Sequence, residues 1–294
     1  MLRGLYTAAA GMITQQRRHD TDTQNVANIN TPGYKQVNSV QRSFPETLIS
    51  MMGGNPDSPD RRIGKLNTGV FAEESLSTYL GGTVNETGQN TDFALVSDLR
   101  VTDPATGQPM AFDESGKYVS PDGQVTYKPE AFFTVQDEEG NIRYTKDGHF
   151  RVDGAGQLLS SLGDRVVDNT GNPITLTGGV SALKVNEQGQ LVNALTGTPT
   201  GVNLGISVID RPNQLVRQGE GNFMLDETDG AAARYMQAGD SVQIRQGYLE
   251  GSNVDTAQTM VDMTAALRAY EANQKVIQFY DKSLDKAVNE VGRV

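Results

Sequence analysis

No cysteine and no tryptophan occur among the 294 residues, and there are only two histidines. The missing cysteine excludes disulfides, thiolate metal sites and a cysteine nucleophile. It suits a final compartment outside the reducing cytosol reached without oxidative folding. Long apolar runs are missing too. No stretch approaches the roughly 20 apolar residues of a membrane-spanning helix, so no stable membrane insertion is expected. The opening run "MLRGLYTAAAGMITQQRR" is broken by Gly4, Thr7 and Gly11 and continues into Gln15–Arg18 without a clear cleavage pattern. It is therefore no ordinary secretory signal, and any export is expected to proceed without cleavage. Basic charge is scarce as well. A formal net charge of −11 argues against nucleic acid as a partner, because phosphate neutralisation needs a basic face. Hydrophobic residues reach only 36%, lean for one thick core and suited to an elongated or layered shape.

Chemistry-bearing motifs are also lacking. There is no G-x-S-x-G elbow, phosphate loop or H-E-x-x-H, which argues against an enzyme and against a bound cofactor. His19 and His149 have no second histidine at metal-ligand spacing and read as ordinary surface or packed histidines. Asp122-Gly123, Asp147-Gly148 and Asp153-Gly154 do not form a D-x-D-x-D-G loop. Hairpin turns with positive φ explain them more simply than calcium does.

What is present falls into three textures. Residues 1–34 open with a helix whose seam runs through Leu2, Leu5, Ala9, Met12, Gln16, His19, Thr23 and Val26 at spacings of three and four. The seam is apolar at its start and polar in its middle, too diluted to stabilise a lone helix. In "NVANINTPGYK", Pro32 disfavours helix at Thr31, and Pro32-Gly33 fits the centre of a type II turn, so the stretch stops the helix.

Residues 250–294 repeat the helical texture more strongly. Met263, Tyr270, Ile277, Leu284 and Val291 recur every seven residues, with Met260, Leu267, Gln274, Asp281 and Val288 as the other half of the seam. Ser252, with Asp255 three positions on, is read as the N-cap. The two helices are natural partners for each other, and Leu2, Leu5, Met12 and Val26 are expected against Met263, Tyr270, Ile277 and Leu284 or a neighbour's copies of them.

Between them, residues 81–249 read as an all-β domain of many short strands, with turns at EEGN, KDGH and VDGAGQ. Residues 35–80 form an extended connecting segment containing a short helix at "FPETLISMM" and a loop at "GGNPDSPDRR". The expected fold class is α+β: long, coiled-coil-like N- and C-terminal helices paired with each other, around a central β domain.

"MLRGLYTAAAGMITQQRRHDTDTQNVANINTPGYK" resembles the N-terminal signature of bacterial flagellar rod and hook proteins. "LEGSNVDTAQTMVDMTAALRAYEANQKVIQFYD" is similar to their C-terminal signature, and "FFTVQDEEGNIRYTKDGHFRVDGAGQLL" to their β-domain stretch. Within that family the chain looks most like distal rod members, although residues 100–131 carry an extra segment expected to form an added hairpin.

The resemblance implies a structural subunit, exported through the flagellar export apparatus and assembling helically with copies of itself and with other rod or hook subunits. Its assembly residues would be Leu2, Leu5, Met12, Asn25, Val26, Asn28, Asn30, Thr31, Pro32, Gly33 and Tyr34 at one end. At the other they would be Asn253, Met263, Leu267, Arg268, Tyr270, Ile277 and Leu284. A proximal rod or hook-type subunit, or a secreted β-domain adhesin or carbohydrate-binding module, is the alternative.

Overall fold

The computed structural model describes residues 2–50, 62–73, 75–103, 107–113, 116–176, 183–194, 196–219, 221–225, 233–237 and 239–291. The side chains of Leu2, Ser50, Arg62, Ile63, Leu183 and Val291 lie outside that description. The fold is α+β. The chain divides into two units. One comprises Met1–Ala27, Val37–Leu76 and Asp255–Val294, and the other Asn28–Gln36 and Ser77–Val254.

The first unit holds helix α1, Leu2–Ala27, and helix α2, Thr256–Lys286, which continues into a π turn at Ala287–Val291. Asp255, not Ser252, caps α2: its carboxylate accepts from the Gln258 N–H at 3.0 Å. The Ser252 hydroxyl accepts from Val254 N–H instead. An aspartate at this place also faces the positive end of the helix dipole.

The unit also holds two antiparallel strand pairs, one nested inside the other. Thr47–Ser50 pairs with Arg62–Leu66, and Gln41–Ser43 pairs with Val70–Ala72. The expected short helix at "FPETLISMM" is thus a strand over 47–50, and residues 51 and 52 lie outside the described residues. Its residues pair with a partner strand about fifteen positions on, which overrides a local helical reading. Helix α1 rests on the outer of these pairs, and Thr7 Oγ1 donates to Thr68 O, just before Val70, at 3.2 Å.

The second unit is built around the strand Glu130–Gln136, buried along almost its whole length. Ile142–Thr145 flanks it on one side, and Ile206–Ile209 followed by Arg165–Val166 on the other, all antiparallel. Consecutive side chains of a strand point to opposite faces. Phe133 therefore enters the main core with Phe93, Phe150, Leu158 and Ile206, while Phe132 enters a smaller one with Ile209 and Phe223. The extra segment does contain a hairpin, Lys117–Val119 against Val125–Tyr127.

One turn design recurs through this unit and accounts for much of its glycine. Asp113, Ser120, Asp137, Asp153, Ser160, Asp168 and Asn186 each start a turn whose glycine, three residues later, donates N–H to the first residue's carbonyl. The first residue's side chain then accepts from the N–H four residues on. The paired residue is therefore the glycine three positions away rather than the adjacent one. Gly123 has the expected positive φ, whereas Gly148 and Gly154 do not and Gly156 does.

Asp137 shows the strongest version. Its carboxylate accepts from the Asn141 side chain and backbone and from the Arg143 guanidinium, and these bonds hold it down at about 2. A depressed carboxyl contributes stability above its unfolded value that is lost as pH falls through the folded one. Acid titration of the folded chain should therefore show a loss of stability between about pH 4 and pH 2 that is shallower in Asp137→Asn, read by fluorescence or circular dichroism. An identical acid limb in the variant would contradict this.

Candidate assembly site

The sequence "NTPGYK" first closes on itself. Tyr34 N–H donates to Thr31 O at 3.3 Å across Pro32-Gly33, and Gly33 sits at φ +69°. Those are the marks of a turn with glycine at its third position. Asn28 closes the preceding bend, its carbonyl taking the Thr31 N–H and its side-chain oxygen the Thr31 hydroxyl at 3.1 Å.

Gly33 lies flat on the peptide that joins Lys146 to Asp147. A Cβ there would be only 2.6 Å from Asp147 N. Its N–H donates to Glu250 O at 2.7 Å. Three separate stretches of the sequence, TPGYK, KDGH and LEGSN, therefore meet at one place in the second unit.

Charge fixes the junction. Lys35 Nζ lies 2.7 Å from Glu250 Oε1 and 2.8 Å from Leu80 O, and Lys146 Nζ lies 2.5 Å from Glu130 Oε1 and 4.0 Å from Glu250 Oε2. Both lysine side chains are 1% exposed. Ser97 and the Gly82 N–H supply further donors to Glu130 and Glu250. Burial opposes each charge, and neighbouring charges decide the outcome. Lys146 is pulled down by burial but held above its ordinary value by Glu130 and Glu250. Glu250 is pushed up by burial but held low by Lys146 and Lys35. Lys35 is lowered, by burial and by the like charge of Lys146.

Around the tetrad, Arg217 stacks on the buried Tyr34 ring at 4.5 Å and donates to Lys35 O at 2.7 Å. Asn253 clamps the same place: its Oδ1 accepts from Gln36 N–H at 2.6 Å, while its Nδ2 donates to Thr78 O and Leu80 O. Asn253 thus acts within its own chain. Asn25, in the other unit, does the same, with Nδ2 on Val37 O at 2.8 Å and Oδ1 on Val37 N–H at 3.0 Å. Asn30 is exposed.

In the helical unit, α1 and α2 lie side by side and antiparallel. Gly4 abuts the Tyr280 ring, a Cβ on Gly11 would meet Asn273 Nδ2 at 3.1 Å, and Arg18 pairs with Asp262 at 2.8 Å. The glycines that break the apolar run are thus points of close helix approach. The covered face of α2 runs through Thr259, Met263, Ala266, Tyr270, Asn273, Ile277, Tyr280 and Leu284. Met263, Tyr270, Ile277 and Leu284 are half-buried on it. The other row differs: Met260, Leu267, Gln274, Asp281 and Val288 are exposed, as is Arg268. Ala266, Asn273 and Tyr280 take that place, Tyr280 lying against Gly4 and Asn273 against Gly11. On α1, Leu5, Met12 and Val26 are half-buried, and the Leu2 side chain is among those not described.

His149 is tied to the buried Asp92 at 2.7 Å. Among the described residues, no group of three histidines or carboxylates could hold a metal, and no helix is long and apolar enough to cross a membrane. Lys35, Lys146, Glu130 and Glu250 were not legible as a set, since nothing in one sequence separates a buried lysine from a solvated one.

Family models match in three places along the chain. Residues 5–35 match the flagella basal body rod protein model, residues 128–194 the D1 domain of flagellar hook protein FlgE/F/G, and residues 245–290 the C-terminal model of flagellar basal body rod FlgEFG protein. The flagellar hook-basal body complex protein FlhO of Bacillus subtilis is 34% identical over 299 residues, covering 100% of both chains. The chain belongs to the flagellar basal-body rod and hook protein family.

Further relatives in this family are the basal-body rod protein FlgG of Borreliella burgdorferi, 30% identical with 98% of each chain covered, and FlgF of Rhizobium meliloti, 26% identical with 99% of each covered. The first and third family matches end and begin on either side of the junction. Lys35 closes one and Glu250 lies near the start of the other. In this rod-family chain the two terminal signatures are therefore joined by a buried ion pair.

Proposed function

We propose that this chain is a structural subunit of the flagellar basal-body rod, distal rod-like, that assembles helically and transmits torque from motor to hook. One observation carries the reading: full-length similarity to FlhO and FlgG with both terminal signatures present. It works outside the cytoplasmic membrane, in the basal body, as a mechanical element and not as a catalyst. Its partners are copies of itself, other rod and hook subunits and, during secretion, the export apparatus.

In this reading α1 and α2 pair in a coiled-coil-like manner and form the inner helical domain, residues 1–34 and 250–294, with residues 35–80 as connecting segment and 81–249 as the outer β domain. Seams this polar gain their full order only when neighbours bury them. Met263, Tyr270, Ile277 and Leu284, with Leu2, Leu5, Met12 and Val26, hold the pair, and Leu267 and Arg268 face neighbouring subunits. Asn25, Thr31, Pro32, Gly33, Tyr34 and Asn253 serve assembly by holding the backbone around them in place. Asn28 and Asn30 contact neighbouring subunits in this reading.

A chain lacking residues 1–30, supplied to a strain without its own copy, should restore neither rod assembly nor motility. Swimming cells would contradict the proposal.

A further inference from the structure

Two features of the helical unit remain outside its internal packing. Phe279, on α2, is 71% exposed. Across the helix from the α1-facing row, it continues a line through Val261, Ala265, Ala272 and Val276, all exposed and at spacings of three, four and seven. A heptad-spaced apolar line on the solvent face of a helix is the pattern of a helix that meets a second partner.

The second feature is a notch between α1 and α2, of about 250 Å³, lined by Gln16, His19 and Asp20 on one side and Leu267 and Tyr270 on the other. It opens where the seam of α1 turns polar. Its volume is below that of ordinary small-molecule sites, which start near 300 Å³, and suits a single side chain. Leu267 gives it an apolar wall, Tyr270 and His19 flat ones, and Asp20 is exposed at its rim.

Resting on the assembly reading above, we infer that Phe279 of one copy inserts into the Gln16–His19–Leu267–Tyr270 notch of the next copy. Charge complementarity supports a second copy as the occupant. Lys275 and Lys282 stand four before and three after Phe279, so both flank it on the same face, and both are exposed. An entering Phe279 therefore brings ammonium groups toward Asp20. Knob and notch are different patches of one surface, about 18 Å apart along α2 by helical rise. A contact of that kind is heterologous: it does not close on a twofold axis, and it propagates from copy to copy. It also gives the polar middle of the α1 seam a purpose, since Gln16 and His19 leave the gap that an apolar pair would fill.

The chain contains no cysteine, which makes the test direct. Gln16→Cys and Phe279→Cys are made in separate copies and produced together in a strain lacking the native copy. Rods isolated from it and mildly oxidised should contain a mixed 16–279 dimer, with neither variant cross-linking when produced alone. In parallel, Phe279→Ala should weaken self-association of the purified full chain by about thirtyfold, the loss expected of a central interface anchor. Its circular dichroism and monomer sedimentation should stay unchanged, because most of the Phe279 side chain is exposed within the subunit. Rods that assemble without the mixed dimer, or Phe279→Ala chains that associate normally, would overturn the contact and leave the subunit role standing. If the cysteine pair blocks assembly, the alanine variant decides alone.

Discussion

Gly33→Ala is expected to destabilise the β unit by about 3 kcal/mol or more, although it adds one methyl group. Two costs combine. The left-handed conformation at φ +69° disfavours any Cβ by roughly 1–2 kcal/mol. The methyl would then press into the Lys146–Asp147 peptide, a backbone that cannot swing aside as a side chain would. Relief requires the turn to lift, and lifting it stretches the Gly33 N–H bond to Glu250 O and the Lys35 pairing behind it. Gly123 supplies the control, since it has φ +80° and open space around its Cβ. Gly123→Ala should cost only the conformational part, about 1–2 kcal/mol. Urea denaturation of both variants separates the contributions. Equal losses at the two glycines would show that packing on Lys146–Asp147 contributes nothing.

The second large effect comes from the buried tetrad. Lys35→Met leaves Glu250 without its nearest cation, and Glu250→Gln leaves Lys35 buried with only a carbonyl and an amide oxygen. Breaking one partner of a buried pair costs about 3–5 kcal/mol, because the remaining charge cannot be rehydrated. The double variant should cost far less than the sum, since no charge is then stranded. Additive losses, or single losses below about 1 kcal/mol, would mean that the pair does not hold the junction.

The acid limb supplies an independent reading. Glu250 is held below its ordinary value, so its contribution is present above the unfolded value and disappears as pH falls through the folded one. Glu250→Gln should therefore flatten the acid dependence of stability. Lys146, held high, would lose its contribution at the alkaline end instead.

Periodicity made the outline of the fold legible, and chemistry between distant residues supplied the rest. The sevenfold spacing of Met263, Tyr270, Ile277 and Leu284 fixes a line on the helix whatever lies against it. Which line runs beside it did not follow. Met260, Leu267 and Val288 are more apolar than Ala266 and Asn273, yet they face outward. The surface of α1 selects the partner row, and that surface is shaped by Gly4 and Gly11. The Pro32-Gly33 turn was legible because its conformational demand is local.

What holds that turn was not. Lys146 and Glu130 stand more than a hundred residues from Glu250, and a lysine in "TKDGH" reads like any surface lysine. The turns show an intermediate case. Their signal is Asp, Asn or Ser followed three residues later by Gly, and EEGN, VDGAGQ and Asp122-Gly123 contain its glycines, whereas the adjacent pairs Asp147-Gly148 and Asp153-Gly154 do not carry it. The short strand at 47–50 is not legible for the same reason as the tetrad, since pairing with 62–66 is a non-local fact.

The junction brings the ends of the two terminal signatures together within the β unit. TPGYK leaves α1 and LEGSN leads into α2, and both are tied to the same four buried charges within the β unit. Electron microscopy of basal bodies from a strain lacking this protein tests the central claim most directly. A subunit of the rod predicts a truncated rod without a hook, restored by the native chain and not by the chain lacking residues 1–30. An intact rod and hook in the deletion strain would contradict the account.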